Sequence, residues 1–104
     1  MKTIYISGPI TGVEGFELAF QSAEERLKKR GWTVVNPAKV GACMPKDTPY
    51  EGYMDLSLAM IRHVDAIYLL NGYQLSNGAM REYWYAMGAG LTIIKQEDER
   101  GEDQ

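Results

Sequence analysis

The sequence predicts an α/β domain of three layers, with helices on both faces of a short parallel sheet. Three observations carry this expectation. Four short runs rich in β-branched, aliphatic and aromatic residues recur along the chain, at 3–6, 32–35, 65–70 and 91–94. Between them lie segments whose apolar residues repeat at helical spacing. The first three runs stop at turn residues, Gly8-Pro9, Asn36-Pro37 and Asn71-Gly72. Strands that alternate with amphipathic helices build a parallel sheet through right-handed crossovers.

Taken in order, Thr3-Ile-Tyr-Ile6 is the first strand, ended by Ser7-Gly8-Pro9. From about Glu14 to Arg30, the residues Phe16, Phe20, Ala23 and Leu27 mark one buried helix face. On the opposite face Glu24–Lys28 and Glu25–Lys29 form i, i+4 pairs in the favourable order, and Gly31 ends the helix. Trp32-Thr-Val-Val35 is the second strand, stopped at Asn36-Pro37. Residues 38–51, interrupted by Gly41, Pro45 and Pro49, read as a loop at the upper end of ordinary length, which suggests a functional segment. A helix from about Gly52 to His63 buries Met54, Leu58 and Ile61. Asp65 caps the entrance of the third strand, Ala66-Ile-Tyr-Leu-Leu70. Ser76 is the candidate N-cap of the next helix, and Leu91-Thr-Ile-Ile94 is the fourth strand. Residues 1–95 form a single domain. The tail, Gln96 to Gln104, is almost wholly charged or polar and is expected to be disordered.

Composition narrows the function classes. The 104 residues suffice for one core, and 45 % apolar with 24 % charged residues is ordinary for a soluble globular domain. The net charge of −3, with no basic run, argues against nucleic acid as a partner. No stretch resembles a signal peptide or a membrane span, so a cytoplasmic location is expected. Cys43 is the only cysteine and His63 the only histidine, so neither a disulfide nor a metal site is expected. No cofactor is implied.

The expected strand order is 2-1-3-4, a Rossmann/flavodoxin-like arrangement. Ligands of such sheets sit beyond the carboxyl ends of the strands where the order reverses, here between strands 1 and 3. The loops at that point are Ser7 to Gly12 and Asn71 to Gly78. In Gly8-Pro9-Ile10-Thr11-Gly12, two glycines permit close approach of backbone to a ligand. A structural turn explains the same residues, and the pattern is neither a dinucleotide fingerprint nor a P-loop. Ser76, Asn77 and Gly78 open a helix whose free N–H groups favour an anion. Glu82 follows six residues after the cap, on a face with Gly78, Ala79, Ala86 and Ala89. Those small residues either leave room for a ligand beside the carboxylate or let the helix pack closely with Glu82 turned outward. Tyr5 is either a phenol at the switch point or a core residue. Asp55 lies near a helix start, where aspartate is favoured by the dipole alone.

Tyr5-Ile-Ser-Gly-Pro-Ile-Thr-Gly12, Val35-Asn-Pro-Ala38, Asp55, Asp65-Ala-Ile-Tyr-Leu-Leu70 and Ser76-x-Gly-Ala-x-x-Glu82-x-x-x-Ala86 follow one another in this order. Together they resemble the nucleoside 2-deoxyribosyltransferase superfamily, and within it the small DUF4406-type proteins. The resemblance covers residues 3 to 94. It implies that Glu82 attacks the anomeric carbon of a deoxyribosyl group, that Tyr5 orients Glu82, and that Asp55 contacts or protonates the base. Substrate contacts are expected from the two switch-point loops, at Gly8, Pro9, Ile10, Thr11, Gly12, Ser76, Asn77, Gly78 and Ala79. A homodimer or larger homo-oligomer is implied too, and the crowding of Tyr83, Trp84, Tyr85 and Met87 on one helix points the same way.

The chemistry fits those residue types. Breaking an N-glycosidic bond develops positive charge on the sugar and negative charge on the base. A carboxylate nucleophile stabilises the first and divides the displacement into two steps. An acid relieves the second, as in the retaining glycosidases. Members acting on free nucleosides carry an aspartate six residues before the nucleophile, where this chain has Ser76, as do the related deoxynucleoside 5′-monophosphate N-hydrolases. Those hydrolases also take a residue from a neighbouring subunit, after the fourth strand, for which no counterpart is evident here. The expected activity is cleavage of the N-glycosidic bond of a (deoxy)nucleoside 5′-monophosphate, by hydrolysis or by transfer of the sugar to another base. The alternatives are action on another N-glycoside, such as a nicotinamide nucleotide, and a nucleotide-binding module without catalysis.

Overall fold

The computed structural model describes residues 2–99. Its core is a four-stranded parallel sheet in the order β2-β1-β3-β4, the expected 2-1-3-4. The elements are β1 (Thr3–Ser7), α1 (Phe16–Lys29), β2 (Thr33–Val35), α2 (Pro37–Gly41), α3 (Tyr50–Ile61), β3 (Ala66–Leu69), α4 (Asn77–Gly88) and β4 (Thr92–Lys95). Short 3-10 turns occupy Tyr73–Leu75 and Gln96–Glu99. The central strands pair Tyr5 with Ile67 and Ser7 with Leu69. At the strand entrance the Asp65 carboxylate accepts from the Thr3 N–H at 2.9 Å.

Alternation along β1 divides the core in two. Ile4 and Ile6 face α1, where they meet Phe20, Ala23, Leu27 and Tyr68. Tyr5 faces the other layer, with Ile61 of α3, Ile67, Leu69 and Ala79 and Ala86 of α4. Every residue of β3 is buried, as expected of a strand covered on both faces. Burial of each large aliphatic side chain here contributes roughly 1.5–3 kcal/mol. Gly8 follows β1 at a crowded point: a Cβ there would lie 2.8 Å from Leu70. Its bare Cα thus serves the close approach of Leu70.

Three segments differ from expectation. The stretch after β2 begins as a helix and not as a loop, because Asn36 caps it and Pro37 fills its first turn. The Asn36 side chain accepts from the Ala38 N–H at 3.0 Å. The tail expected to be disordered from Gln96 instead continues as an ordered turn over Gln96–Glu99. Its Glu99 is buried, accepting from the Tyr68 hydroxyl at 2.7 Å and pairing with Arg30 at 2.5 Å. The rest of that tail, residues 100–104, lies outside the described residues.

The third difference is Glu24, which pairs with Lys28 at 2.7 Å as expected yet is only 5 % exposed. Asn36 Nδ2 donates to it at 2.9 Å and Lys39 Nζ at 3.1 Å, so it ties α1 to the start of α2. The Lys28 ammonium above all, helped by Asn36 and Lys39, holds its carboxyl down at about 2, against the opposing effect of burial. A depressed carboxyl stabilises the fold fully above its unfolded value of 4.5, and that stability is lost as pH falls through about 2. Glu24→Gln should therefore cost about 1–3 kcal/mol at pH 7. The gap between variant and wild type should shrink as pH falls from 4.5 towards 2. Urea unfolding at several pH values reads this, and a gap independent of pH would refute it.

Candidate active site

The carboxyl ends of β1 and β3 open into a cleft of about 1170 Å³, bounded by the loop after β1, by α2 and α3, and by the start of α4. That volume accommodates a nucleotide-sized ligand. The cleft lies at the switch point between β1 and β3. Helical geometry turns Glu82 inward, so the outward reading of this residue is excluded: it is 7 % exposed. Ala79 and Ala86 on the same side pack against the sheet, which brings α4 close enough for Glu82 to reach β1. Small residues here thus both pack the helix and lodge the carboxylate.

Two donors from one face of β1 hold Glu82. The Tyr5 hydroxyl donates to Oε2 at 3.0 Å and the Ser7 hydroxyl to Oε1 at 2.5 Å. Ser57 of α3 supplies a further hydroxyl to the same pair. Burial pushes the Glu82 carboxyl above the usual carboxylate range, and the hydrogen bonds from Ser7, Tyr5 and Ser57 only partly offset it. Burial, then the Glu82 charge, pushes the Tyr5 phenol well above its ordinary value. Tyr5 therefore keeps its proton and acts as a donor. Such a carboxylate, water-poor and with both oxygens fixed, is positioned for nucleophilic attack.

The walls include Tyr5, Gly8, Pro9, Ile10, Thr11, Ser76, Asn77, Gly78, Ala79 and Glu82, all expected from the sequence. Gly12 is not among them; its φ of 74° marks it as a turn former. Asp55 is not brought to the cleft either: α3 turns Met54 and Ser57 inward and leaves Asp55, one residue round the helix from Met54, exposed. Ser76 caps α4 as expected, accepting from the Ala79 N–H at 3.1 Å. A Cβ on Gly78 would stand 3.5 Å from the Tyr50 hydroxyl.

Ser7 and Ser57 were not singled out from the sequence. The period of two along β1 signals Ser7, which must share the face of Tyr5. Ser57 was signalled by its place three residues after Met54 and four before Ile61, both core-facing. Arg81 was also unplaced; it lines the cleft, pairs with Glu51 at 3.0 Å and stands 5.8 Å over the Tyr50 ring.

Among the described residues no helix is long and apolar enough to cross a membrane. A family model described as a domain of unknown function, DUF4406, matches residues 2–95. No curated protein matches the chain.

Proposed function

Because the chain belongs to the DUF4406 family, a domain of unknown function, we propose its activity from the site itself: cleavage of the N-glycosidic bond of a (deoxy)nucleoside 5′-monophosphate, with Glu82 as nucleophile. One observation carries the reading. A single buried carboxylate stands at the switch point, each oxygen bonded by a hydroxyl of β1. The resemblance of its motif order to that of the nucleoside 2-deoxyribosyltransferases supports the same reading. In the first step a Glu82 oxygen bonds to the anomeric carbon as the base departs, leaving a glycosyl ester. In the second, water or another base displaces Glu82. Tyr5 and Ser7 hold the carboxylate in line and Ser76, with the first N–H groups of α4, receives the phosphate.

The deciding assay is release of free base from a panel of nucleosides and nucleotides, with and without an acceptor base. Release, or exchange in the presence of acceptor, is expected for at least one monophosphate. Binding of nucleotides without any release across the panel would replace this reading with a non-catalytic nucleotide-binding module.

We further propose that α4 forms a homo-oligomer contact. Trp84 is 61 % and Met87 48 % exposed, beside Tyr83, whose ring centroid lies 5.3 Å from that of Trp84. Large apolar side chains clustered on one helix mark an interface. Sedimentation at micromolar concentration should give at least a dimer mass, and Trp84→Glu should lower it to the monomer. A wild-type mass of 11.7 kDa would remove the proposal.

A further inference from the structure

The start of α4 meets a second wall of the cleft, and α3 builds it. Tyr50 opens α3 and lines the cleft opposite Ser76 and Gly78. A Cβ on Gly78 would lie 3.5 Å from the Tyr50 hydroxyl, 3.6 Å from the Met54 sulfur and 4.0 Å from Ser76 Oγ. Two hydroxyls from different elements therefore border one small space, and the bare Cα keeps it open. Gly78 is the second residue of α4, in helical backbone where alanine would suit the helix better. What glycine provides there is room.

The protons are disposed to match. Ser76 Oγ accepts from the Ala79 N–H at 3.1 Å and keeps its own hydrogen to donate. The Tyr50 oxygen accepts from Arg81, whose guanidinium stands 5.8 Å over the Tyr50 ring, so the phenol also keeps its proton to give. A cation behind the oxygen polarises the O–H bond and strengthens its donation. Glu51 fixes Arg81 by accepting from it through both oxygens, at 3.0 and 3.4 Å.

We propose that Tyr50 is a phosphate-binding residue, its hydroxyl and that of Ser76 donating to one 5′-phosphate over Gly78. Arg81, held by Glu51, is the positioning residue behind the phenol. This rests on the function proposed above and names a residue that makes its site prefer a monophosphate to a free nucleoside. Two oriented donors recognise the charged group, and donation to an anion is the stronger kind of hydrogen bond.

The test measures kcat/KM for the adenine, guanine, cytosine and thymine 2′-deoxynucleoside 5′-monophosphates and for the matching free nucleosides. Titration calorimetry gives Kd for the same pairs. Tyr50→Phe keeps the ring beneath Arg81 and removes only the hydroxyl. Its preference for the best monophosphate over the matching nucleoside should fall about tenfold, the lower end for a hydrogen bond to a charged group at an open rim. Gly78→Ala should lose preference to a similar degree, because its methyl crowds an oxygen held between the two hydroxyls. Its thermal midpoint should match or exceed that of wild type. A loss in Tyr50→Phe shared equally by monophosphate and nucleoside would overturn the inference, since altered packing alone predicts that. An unchanged preference in either variant would overturn it too. A wild type that binds the monophosphates no better than the nucleosides would end it as well. If no base is released but the Tyr50-dependent difference in Kd persists, the catalytic reading fails and this inference stands.

Discussion

Glu82→Gln should lower base release by about 10⁴-fold while leaving the fold intact, the scale of loss when a covalent nucleophile is removed. Glutamine keeps the shape and an acceptor for one of the Tyr5 and Ser7 hydroxyls, but its amide cannot form the glycosyl ester. Stability should not fall with activity. A carboxyl raised by burial is stabilising only while protonated, so its contribution declines as pH rises from 4.5 through its folded value. At neutral pH the wild type therefore bears the cost of a buried charge that glutamine relieves. The thermal midpoint of the variant should match or exceed that of wild type at pH 7. The same raised value puts the acid limb of the wild-type rate profile above the ordinary carboxylate range, since attack needs the ionised form. Near-wild-type turnover by Glu82→Gln would assign the nucleophile elsewhere.

Most of the architecture that positions Glu82 was legible because it depends on local patterns. Alternating strand-like and helical runs with short connections leave few topologies, and strand order 2-1-3-4 is the doubly wound one. The Ser76 cap followed from helical spacing, which left Glu82 free to face either way; its bonds to Tyr5 and Ser7 decide that it faces inward. What escaped depends on contacts between distant segments. Glu24 reads as one half of a surface pair with Lys28; only the approach of Asn36 and Lys39 makes it a buried junction. Gln96–Glu99 is polar throughout, yet Tyr68, Arg26 of α1 and Arg30 at its C-cap make a polar socket that no periodicity reveals. Ser57 is an ordinary helix residue until α3 is laid against β1. Asp55 shows the converse. Its motif position suggested a role beside the base, but the helix phase set by Met54 and Ile61 leaves it facing water.

The second large effect is expected at Ser76. The free nucleoside should be a poorer substrate than its 5′-monophosphate, and Ser76→Asp should reverse that order. Ser76 accepts from the Ala79 N–H at 3.1 Å and still has its own hydrogen to donate to a phosphate oxygen. Aspartate is as good a helix cap as serine, so the substitution should leave α4 in place. Its charge would oppose the phosphate instead: two charges about 4 Å apart interact by roughly 4 kcal/mol at an effective dielectric near 20. Converted at 1.4 kcal/mol per tenfold, this gives a loss of about 10²–10³-fold in kcat/KM for the monophosphate once solvent screening is allowed for. Arg81, which lines the cleft, is engaged with Glu51 and stands over the Tyr50 ring, so it would neutralise the new charge only by giving up that pair. The free nucleoside carries no phosphate to repel, and an aspartate there can accept from its 5′-hydroxyl, so its turnover should hold or rise. A Ser76→Asp variant as active on the monophosphate as wild type would show that the phosphate does not sit over the start of α4.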